Sequence, residues 1–293
     1  MKRLFLLCCC LAAAVPFSAR GESLERALRA VTDSVRATVG VAVVFGDGDT
    51  LAVNGGRCYP MLSVCKFHQA LAVLDRLDRR GLPLTTRIPV RRSDLLPGTW
   101  SPLREACPGG GRFTVAELLT YSVAQSDNNV CDVLFRFLGG TEAVDRYIAG
   151  LGIGETVIVA DEEMMHRHTD NQYLNRTTPL AAVRLLELFR RGELLSAAYG
   201  DFLLETMFAT ETGPDKLRGL LPADVAVAHK TGSSDRDGRG VKIADNDIGI
   251  VRLSDGRSYS IAVFVMDSRE DDRTNAAVIA RISRLVCDYA ARR

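Results

Sequence analysis

Strand-like patterns stand only at the two ends of this chain, which restricts the folds open to it more than any other feature. A hairpin turning at residues 46–48 is predicted by the stretches VGVAVVFGD and DTLAVNGG near the start. Three more strands are predicted near the end, by VAVAHKTG, DNDIGIVRL and RSYSIAVFVMD. Because strands bury their apolar faces by sharing a sheet, both chain ends should contribute to one sheet around an inserted segment.

Helical periodicity fills the segment between these two groups of strands. One helix is predicted before the first strand, over 23–37, and another after the last, at about 272–290. Helices are also predicted in the insert, over 61–80, 114–122, 127–138, 141–150, 178–191 and 196–208. The predicted fold class is α/β in the broad sense, or α+β: an antiparallel five-stranded sheet flanked by the terminal helices, plus an all-helical lobe.

We expect these parts to form one interlocked unit rather than two consecutive domains. An α/β lobe would contain residues 22–60 and 209–293, and a helical lobe would contain residues 61–208. The chain has 293 residues, of which 47% are hydrophobic, and this is enough for a large core. Sites for small molecules commonly lie in the cleft between such lobes.

The first residues carry the pattern of an export signal. Two basic residues precede the apolar run LFLLCCCLAAAV, and Ala19 and Gly21 fit a cleavage site, so residues 1–21 are predicted to be a signal peptide of a periplasmic or secreted protein. The run is too short to span a bilayer. Its cysteines lie inside the apolar stretch rather than after it, so a lipid anchor is the less favoured alternative.

The net charge of the chain indicates which kinds of partner it is suited to bind. Removing the three basic residues of the predicted signal peptide changes the formal net charge from +1 to 34 − 36 = −2. This balance does not favour binding to nucleic acid or to an anionic membrane surface. We expect no stable membrane association, a small-molecule substrate and a monomer.

Cysteine and histidine spacing argues against metal sites. The cysteines after the predicted signal peptide are Cys58, Cys65, Cys107, Cys131 and Cys287. An oxidising compartment permits disulfides, but an odd number leaves at least one thiol unpaired, and the spacing does not fix the pairing. No C-x-x-C motif or Cys/His cluster predicts a zinc site, and the 4 histidines show no ligand spacing.

Ser63 and Lys66 stand three residues apart in LSVCKFHQA, where a long helical pattern begins. On a helix this spacing brings two side chains to one face, with Cβ atoms roughly 5–6 Å apart. A neutral lysine there would take the proton of the hydroxyl and make it a nucleophile. By itself, S-x-x-K is more often part of a solvated helix face, and Cys65 between the two residues is expected to be a core residue.

Two further motifs occur in a fixed order after the first. Ser126, Asp127 and Asn128 precede a helix in YSVAQSDNNVCD, and Lys230 to Ser233 end a strand in VAVAHKTGSS. A helix cap explains the first motif and a turn explains the second. Neither explanation accounts for the ordered set S-x-x-K, S-D-N and K-T-G, which is found in class A β-lactamases and penicillin-binding proteins.

The chain therefore resembles the class A serine β-lactamases over nearly all of its mature length. The resemblance implies hydrolysis of the β-lactam amide of cephalosporins and penicillins, without a cofactor or metal, through an acyl-enzyme on Ser63. It also implies catalytic roles for Lys66, Ser126 and Lys230. Whether Lys66 or a glutamate acting through water deprotonates Ser63 stays open.

That glutamate distinguishes these enzymes from the related peptidoglycan transpeptidases. The stretch VADEEMMHRHTDNQYLNRTTP lies where the family has its glutamate loop. Glu162 is the best match, because Glu162 and His166 have the spacing of the family's Glu-x-x-x-Asn element. His166 replaces the asparagine, which resembles the extended-spectrum cephalosporinase branch. Glu163 is the adjacent alternative, and Asp161 matches less well.

The resemblance further implies a set of binding residues. The backbone N–H groups of Ser63 and Ser233 would hold the developing oxyanion. Lys230, Thr231 and Ser233, on either side of Gly232, would bind the substrate carboxylate. Asn128 would meet the side-chain amide of the substrate.

Two residues near these motifs have more than one reading. A lone tryptophan is more often a core residue. Trp100, in GTWSPL, instead resembles the family's aromatic residue at the mouth of the cleft, because the residues around it lack the apolar periodicity of a core position. His229 is expected to be structural or to act through a neighbouring residue.

The same motifs are compatible with two other functions. A penicillin-binding DD-peptidase or transpeptidase shares the three motifs but lacks the deacylating glutamate. A non-hydrolytic penicillin-binding sensor domain would be acylated and would stop there. Repeated turnover of a cephalosporin distinguishes both from a β-lactamase.

Overall fold

The structure is a computed structural model that describes residues 17–293. Its strands are β1 (Thr38–Val44), β2 (Thr50–Val53), β3 (Tyr59–Pro60), β4 (Arg87–Arg91), β5 (Gly110–Thr114), β6 (Arg176–Thr177), β7 (Ala226–Ser233), β8 (Lys242–Arg252) and β9 (Ser258–Ser268). Its α-helices are α1 (Phe17–Thr32), α2 (Cys65–Arg79), α3 (Pro102–Ala106), α4 (Val115–Leu119), α5 (Asn128–Leu138), α6 (Thr141–Gly150), α7 (Glu162–Arg167), α8 (Pro179–Arg190), α9 (Ala197–Phe208) and α10 (Asp272–Ala291).

Within the described residues, one five-stranded sheet has the order β2-β1-β9-β8-β7. Every neighbouring pair is antiparallel, and β1 from the start of the chain pairs with β9 from its end, with Val41 opposite Val263. The predicted fold class, an antiparallel five-stranded sheet with terminal helices and a helical insert, is confirmed. The closure of both chain ends into one sheet makes the insert a loop of helices anchored at both of its ends.

The two faces of the sheet bury two separate hydrophobic cores. Along β1, Val41 and Val43 contribute to a core with the terminal helices α1 and α10, whereas Ala42 and Val44 contribute to the core of the helical insert. This follows from the period of two in a strand, because successive side chains point to opposite faces. Both faces are apolar, so β1 reads as a continuous hydrophobic run rather than an alternating one.

Some predicted element boundaries were wrong. The first helix ends at Thr32 rather than 37, because residues 33–37 form turns and bends, and the Ser34 hydroxyl donates to the Val31 carbonyl. The helix predicted over 61–80 begins with a 3-10 turn and becomes α-helical only at Cys65. The one predicted over 114–122 divides into α4 and a π-helical turn, Thr120–Ala124.

The two-stranded pairs β3–β6 and β4–β5 were not predicted. Each of these strands has five residues or fewer, and so short a run does not separate a strand from a loop in sequence.

The structure leaves the predicted signal peptide largely untested. Of the predicted signal peptide, residues 1–16 lie outside the described residues, and residues 17–21 begin α1. Along residues 17–293, none of the helices combines the length and the apolar character needed to cross a membrane. The cysteines among these residues carry free thiols, with Cys65, Cys131 and Cys287 buried.

Asn246 on β8 connects the sheet to the segment that enters the helical insert. Its side chain is completely buried, and its Nδ2 donates to the carbonyls of Pro60, at 2.8 Å, and Met61, at 3.3 Å. Its Oδ1 accepts from the backbone N–H of Val265 on β9, at 3.2 Å. One amide thus holds the entry of the insert in register with the two central strands.

We expect Asn246→Ala to destabilise the protein by about 2–3 kcal/mol, because buried backbone groups lose their partner without access to water. Urea unfolding followed by circular dichroism measures this loss. Asn171→Ala is the control, since that more exposed amide donates only to the Met164 carbonyl and its loss should cost less than about 1 kcal/mol. Equal losses in the two variants would contradict the role given to Asn246.

Candidate active site

Ser63 lies in the 3-10 turn Leu62–Val64 that precedes α2. Leu62 has a φ of +46°, which is rare for a residue with a branched side chain and stores strain in the turn. The turn is held by the Met61 N–H, which donates to the Asn175 carbonyl at 2.8 Å. Ser63 is partly exposed, whereas Leu62 and Val64 on either side of it are buried.

Lys66 is completely buried, and its Nζ is surrounded by oxygen atoms. Nζ lies 2.8 Å from Ser63 Oγ and 3.0 Å from the Ser126 carbonyl oxygen. It lies 2.5 Å from Asn128 Oδ1 and 2.9 Å from Glu162 Oε1. An ammonium has three N–H donors for these acceptors, so the arrangement favours the charged form of Lys66.

Burial and the neighbouring charges, taken together, also favour the charged form of Lys66. Burial lowers the pKa of Lys66, but the Glu162 carboxylate raises it, with smaller contributions from Cys131 and Cys65, and the resulting pKa lies above its usual value. Lys66 and Glu162 therefore form a buried ion pair.

Lys230 reaches the same cleft from β7. Its Nζ donates to Ser126 Oγ and to the Thr231 carbonyl, both at 2.9 Å. The side chain is completely buried, and burial together with the positive charge of Lys66 lowers the pKa of Lys230 to about 7. Lys230 is thus able to gain or lose a proton near neutral pH.

Ser126 stands between the two lysines in a strained backbone conformation, with a φ of +60°. The next residue, Asp127, holds this conformation. Its carboxylate caps α5 by accepting from the Val130 N–H at 2.9 Å. It also accepts from the Ser101 hydroxyl at 2.9 Å and from the Leu103 N–H at 2.7 Å. The S-D-N segment is therefore a helix cap, as one reading of the sequence had it, and also positions Ser126.

Glu162 is the first residue of α7, and two carboxylates fix the start of that helix. Asp161 caps it by accepting from the Met164 N–H at 2.8 Å. Asp132 on α5 accepts from the N–H groups of Glu162, at 2.7 Å, and Glu163, at 3.0 Å. With α7 held in this way, the buried Glu162 side chain faces Lys66.

Glu163 points away from this cluster. Its carboxylate pairs with Arg167 at 2.7 Å, one turn along α7, and half of its side chain is exposed. The two adjacent glutamates thus have opposite environments.

A chain of hydrogen bonds joins the glutamate loop to Asn128. Asn128 Nδ2 donates to Thr99 Oγ1 at 2.7 Å, and Thr99 Oγ1 lies 3.1 Å from His166 Nε2. His166 Nδ1 lies 2.7 Å from the Glu162 carbonyl oxygen. That oxygen can only accept, so Nδ1 carries the proton, and in a neutral imidazole Nε2 accepts from the Thr99 hydroxyl. Because Lys66 Nζ contacts both Asn128 Oδ1 and Glu162 Oε1, these hydrogen bonds form a closed ring.

The end of β7 lies against the turn of Ser63. A side chain at Gly232 would bring its Cβ to 2.4 Å from the Met61 carbonyl oxygen, so only glycine permits this approach. Thr231 Oγ1 lies 2.6 Å from Thr212 Oγ1, and Ser233 is exposed at the edge of the strand.

Trp100 is exposed next to the S-D-N segment. Its side chain is 57% exposed, and its Nε1 donates to the Gln125 carbonyl at 2.8 Å. Its own carbonyl accepts from the Asn128 N–H at 3.0 Å.

Sequence reasoning missed three residues that contact these groups. Thr99 joins Asn128 to His166, Asp132 holds α7, and Thr212 contacts Thr231. Asp132 follows Asn128 by one helical turn on α5, and this i, i+4 spacing was a usable signal. Thr99 and Thr212 lie in loops, where no periodicity marks them.

Comparisons with known proteins agree with this arrangement. The profile of the β-lactamase enzyme family matches residues 23–290. The chain is 47% identical over 267 residues to a β-lactamase of Bacteroides uniformis, covering 90% of each protein. It is 40% identical to the extended-spectrum β-lactamase PER-1 of Pseudomonas aeruginosa, over 93% of this chain and 89% of that protein.

Solved structures give the same result. The extended-spectrum β-lactamase TLA-3 superposes with a TM-score of 0.91 at 46% identity, covering 92% of this chain and 98% of that chain. A class A β-lactamase from Bacteroides cellulosilyticus superposes with a TM-score of 0.90 at 44% identity, covering 94% and 99%.

Asp132 gives this site a predicted dependence of stability on pH. Burial and the charges of Glu162 and Asp161 raise the pKa of its carboxyl from an ordinary 3.8 to about 7, against the two N–H donors that lower it. Between these values the folded protein keeps a proton that the unfolded chain has lost. The stabilisation from Asp132 is therefore complete below about pH 4 and declines as the pH rises to about 7.

We expect the free energy of unfolding of the wild type, relative to Asp132→Asn, to fall by on the order of 3 kcal/mol across that range. Denaturant unfolding at several pH values measures it. Asp78→Asn is the control, because Asp78 likewise accepts from a helix start, at the Ser196 N–H, but in a contact exposed to solvent. A parallel pH dependence in wild type and Asp132→Asn would exclude this role.

Proposed function

The chain belongs to class A of the β-lactamase enzyme family, and we propose that it opens the β-lactam ring through an ester on Ser63 that Glu162 helps to hydrolyse. Membership of the family makes it a serine hydrolase that acts on cyclic amides. The observation that carries the proposed residues is the buried cluster in which Lys66 Nζ lies 2.8 Å from Ser63 Oγ and 2.9 Å from Glu162 Oε1.

Acylation begins with attack of Ser63 Oγ on the ring carbonyl. The oxygen that becomes negative is held by the backbone N–H groups of Ser63 and Ser233, since the end of β7 lies against the Ser63 turn. Lys66 already carries its proton, so it is not the base in this arrangement. Glu162, acting through a water molecule, takes the proton of Ser63, and the positive Lys66 stabilises the negative charge that develops on Oγ.

Cleavage of the ring amide requires a proton on the leaving nitrogen. Ser126 Oγ supplies it, because this hydroxyl lies between the cleft and Lys230 Nζ. Lys230, whose pKa is about 7, returns a proton to Ser126 or attracts the substrate carboxylate. The proton that Glu162 accepted from Ser63 replaces the one given to the ring nitrogen, so Glu162 is a carboxylate again before deacylation. A bound carboxylate stabilises the ammonium form of Lys230. Thr231 and Ser233 add hydroxyl groups at the strand edge.

Deacylation is assigned to Glu162. Its carboxylate removes a proton from the water that attacks the Ser63 ester, and the proton then returns to Ser63 Oγ as the acid product leaves. Glu163 is less suited, because it pairs with Arg167 on the exposed side of α7. A carboxylate in contact with Lys66 also argues against a peptidoglycan transpeptidase or a sensor domain that stops at the acyl-enzyme.

Substrate range is proposed from the relatives and from the cleft rim. The relatives PER-1 and TLA-3 are named extended-spectrum β-lactamases, and we propose that this chain likewise hydrolyses cephalosporins as well as penicillins. Asn128 meets the amide of the substrate side chain, and His166 and Trp100 border that side chain.

We further propose export of the chain, with residues 1–21 as the signal peptide, and a monomeric enzyme without stable membrane association. The export pattern in the sequence supports the first statement. We also retain the division into an α/β lobe, 22–60 with 209–293, and a helical lobe, 61–208. The separate cores on the two faces of the sheet support it.

We expect a β-lactam to form an ester with Ser63. Mass spectrometry of a quenched reaction should detect the added mass on the peptide that contains LSVCK. Ser63→Ala should lose both the adduct and turnover, because no other hydroxyl contacts Lys66 Nζ in the described cluster. An adduct on another peptide, or turnover in Ser63→Ala, would exclude Ser63 as the nucleophile.

Glu162→Gln should be acylated but deacylate slowly, because a neutral amide cannot accept the proton of the attacking water. A burst of about one product per molecule is expected, followed by a rate at least about 100-fold below wild type, with the acyl-enzyme visible by mass. Glu163→Gln is the matched control and should turn over normally. If Glu163→Gln accumulated the acyl-enzyme instead, the assignment would be one residue off. Normal turnover in both variants would exclude this loop as the source of the base.

A further inference from the structure

His229 precedes Lys230 on β7, and its side chain lies on the opposite face of the sheet from the cleft. It is completely buried, and its Nδ1 lies 3.0 Å from both carboxylate oxygens of Asp247 on β8. Asp247 is also completely buried and stands opposite Thr231 in the strand register. Its Oδ2 accepts from the Leu217 N–H at 3.1 Å. A buried imidazole and carboxylate thus lie directly behind the K-T-G strand.

The contacts of this pair indicate its charge state. The carboxylate can only accept, so His229 Nδ1 is the donor. His229 Nε2 is buried and has no hydrogen-bond partner among the described residues. A neutral imidazole leaves only a lone pair there, whereas an imidazolium would bury an N–H without an acceptor, which costs more. The arrangement therefore favours a neutral His229 beside a negatively charged Asp247.

Other charges on this face largely cancel. Lys216 Nζ pairs with Asp245 Oδ1 at 2.5 Å, two residues before Asp247 on β8, and both side chains are buried. Asp247 is left with two neutral donors and no cation in contact in the described structure.

On the cleft side of β7, by contrast, Lys230 lies close to a positive charge. Lys230 faces the ammonium of Lys66, which is paired with Glu162, and Cys65 is the other titratable side chain nearby. Burial and Lys66 lower the pKa of Lys230, while Cys65, Asp247 and Glu162 raise it. Glu162 changes its protonation during the proposed reaction. Asp247 lies on the other face of the sheet and takes no part in that proton transfer.

We infer that Asp247, held by His229, is a positioning residue for the proposed reaction, whose fixed negative charge acts through β7 to keep Lys230 protonated for carboxylate binding. The inference rests on the role proposed for Lys230. His229 donates to the carboxylate and orients it, and neither residue touches the substrate. Asp247 and Lys230 lie on neighbouring strands, and both side chains are completely buried, so a charge on one is felt strongly by the other because water is excluded.

The protonation of Lys230 can be followed directly, because the chain has few lysines: Lys2, Lys66, Lys216, Lys230 and Lys242. The mature protein, labelled with 13C at the lysine ε carbon, is titrated by NMR, and the Lys230 signal is assigned by its loss in Lys230→Arg. Asp247→Asn should move the titration midpoint of Lys230 down by roughly 0.5–1 pH unit. The alkaline limb of kcat/KM for a cephalosporin should move in the same direction, with little change at low pH.

Ser283→Ala is the matched control. Its hydroxyl on α10 donates to the Leu217 carbonyl at 2.8 Å, so the variant loses a buried hydrogen bond to the same segment without a change of charge. Its Tm should fall while the Lys230 midpoint stays unchanged. A second pair tests His229: His229→Asn keeps an N–H donor for Asp247 and should preserve the midpoint, whereas His229→Leu should lower it.

An unchanged midpoint in folded Asp247→Asn, or an equal shift in Ser283→Ala, would overturn the inference. If Asp247→Asn does not fold, the His229 pair decides, and equal midpoints in Asn and Leu variants would overturn it. The NMR titration needs no turnover, so it is independent of the proposed function. Absence of an acyl-enzyme on Ser63 in the wild type would instead end the proposed function.

Discussion

The ammonium of Lys66 imposes the strongest constraint on this structure, because a fully buried charge is stable only when paired and hydrogen-bonded. Its acceptors come from Ser63, Ser126, Asn128 and Glu162, which lie on three segments of the chain. Folding must bring all of these segments together before the charge is satisfied. The proposed catalytic cluster and the packing of the helical insert therefore depend on the same atom.

A second buried ammonium close to Lys66 would destabilise the protein by charge repulsion. One strained residue, Ser126, lies between the two lysines and accepts a hydrogen bond from each. Ser126 accepts from Lys66 through its carbonyl oxygen and from Lys230 through its hydroxyl. Its positive φ allows both oxygens to face the cleft, and Asp127 holds that conformation by accepting from three groups. The strain is local, whereas its benefit is the separation of two positive charges by polar groups that can pass a proton.

Much of the architecture could be predicted because it depends on patterns within short segments. The strands β1 and β9 are nearly continuous apolar runs, β7 and β8 each contain a shorter apolar stretch, and the long helices α2, α5, α8 and α10 have clear periodicity. The predicted helix boundaries were wrong at positions where the type of backbone hydrogen bond changes while the hydrophobic pattern continues. The turn at Leu62–Val64 and the π-helical turn after α4 are both of this kind, and both precede a proposed catalytic residue.

By itself, the sequence determined the fold class, the three ordered motifs and the family resemblance, because residue type and local spacing carry this information. Only the tertiary structure decided which glutamate faces Lys66. Adjacent residues on a helix point about 100° apart, so the choice depends on the rotation of α7. That rotation is set by Asp132, which is thirty positions away from Glu162 in the chain and accepts from the first N–H groups of the helix. Thr99, His229 and Asp247 likewise acquire their contacts only when distant segments pack together, since hydrogen-bond geometry between such segments is not encoded in local spacing.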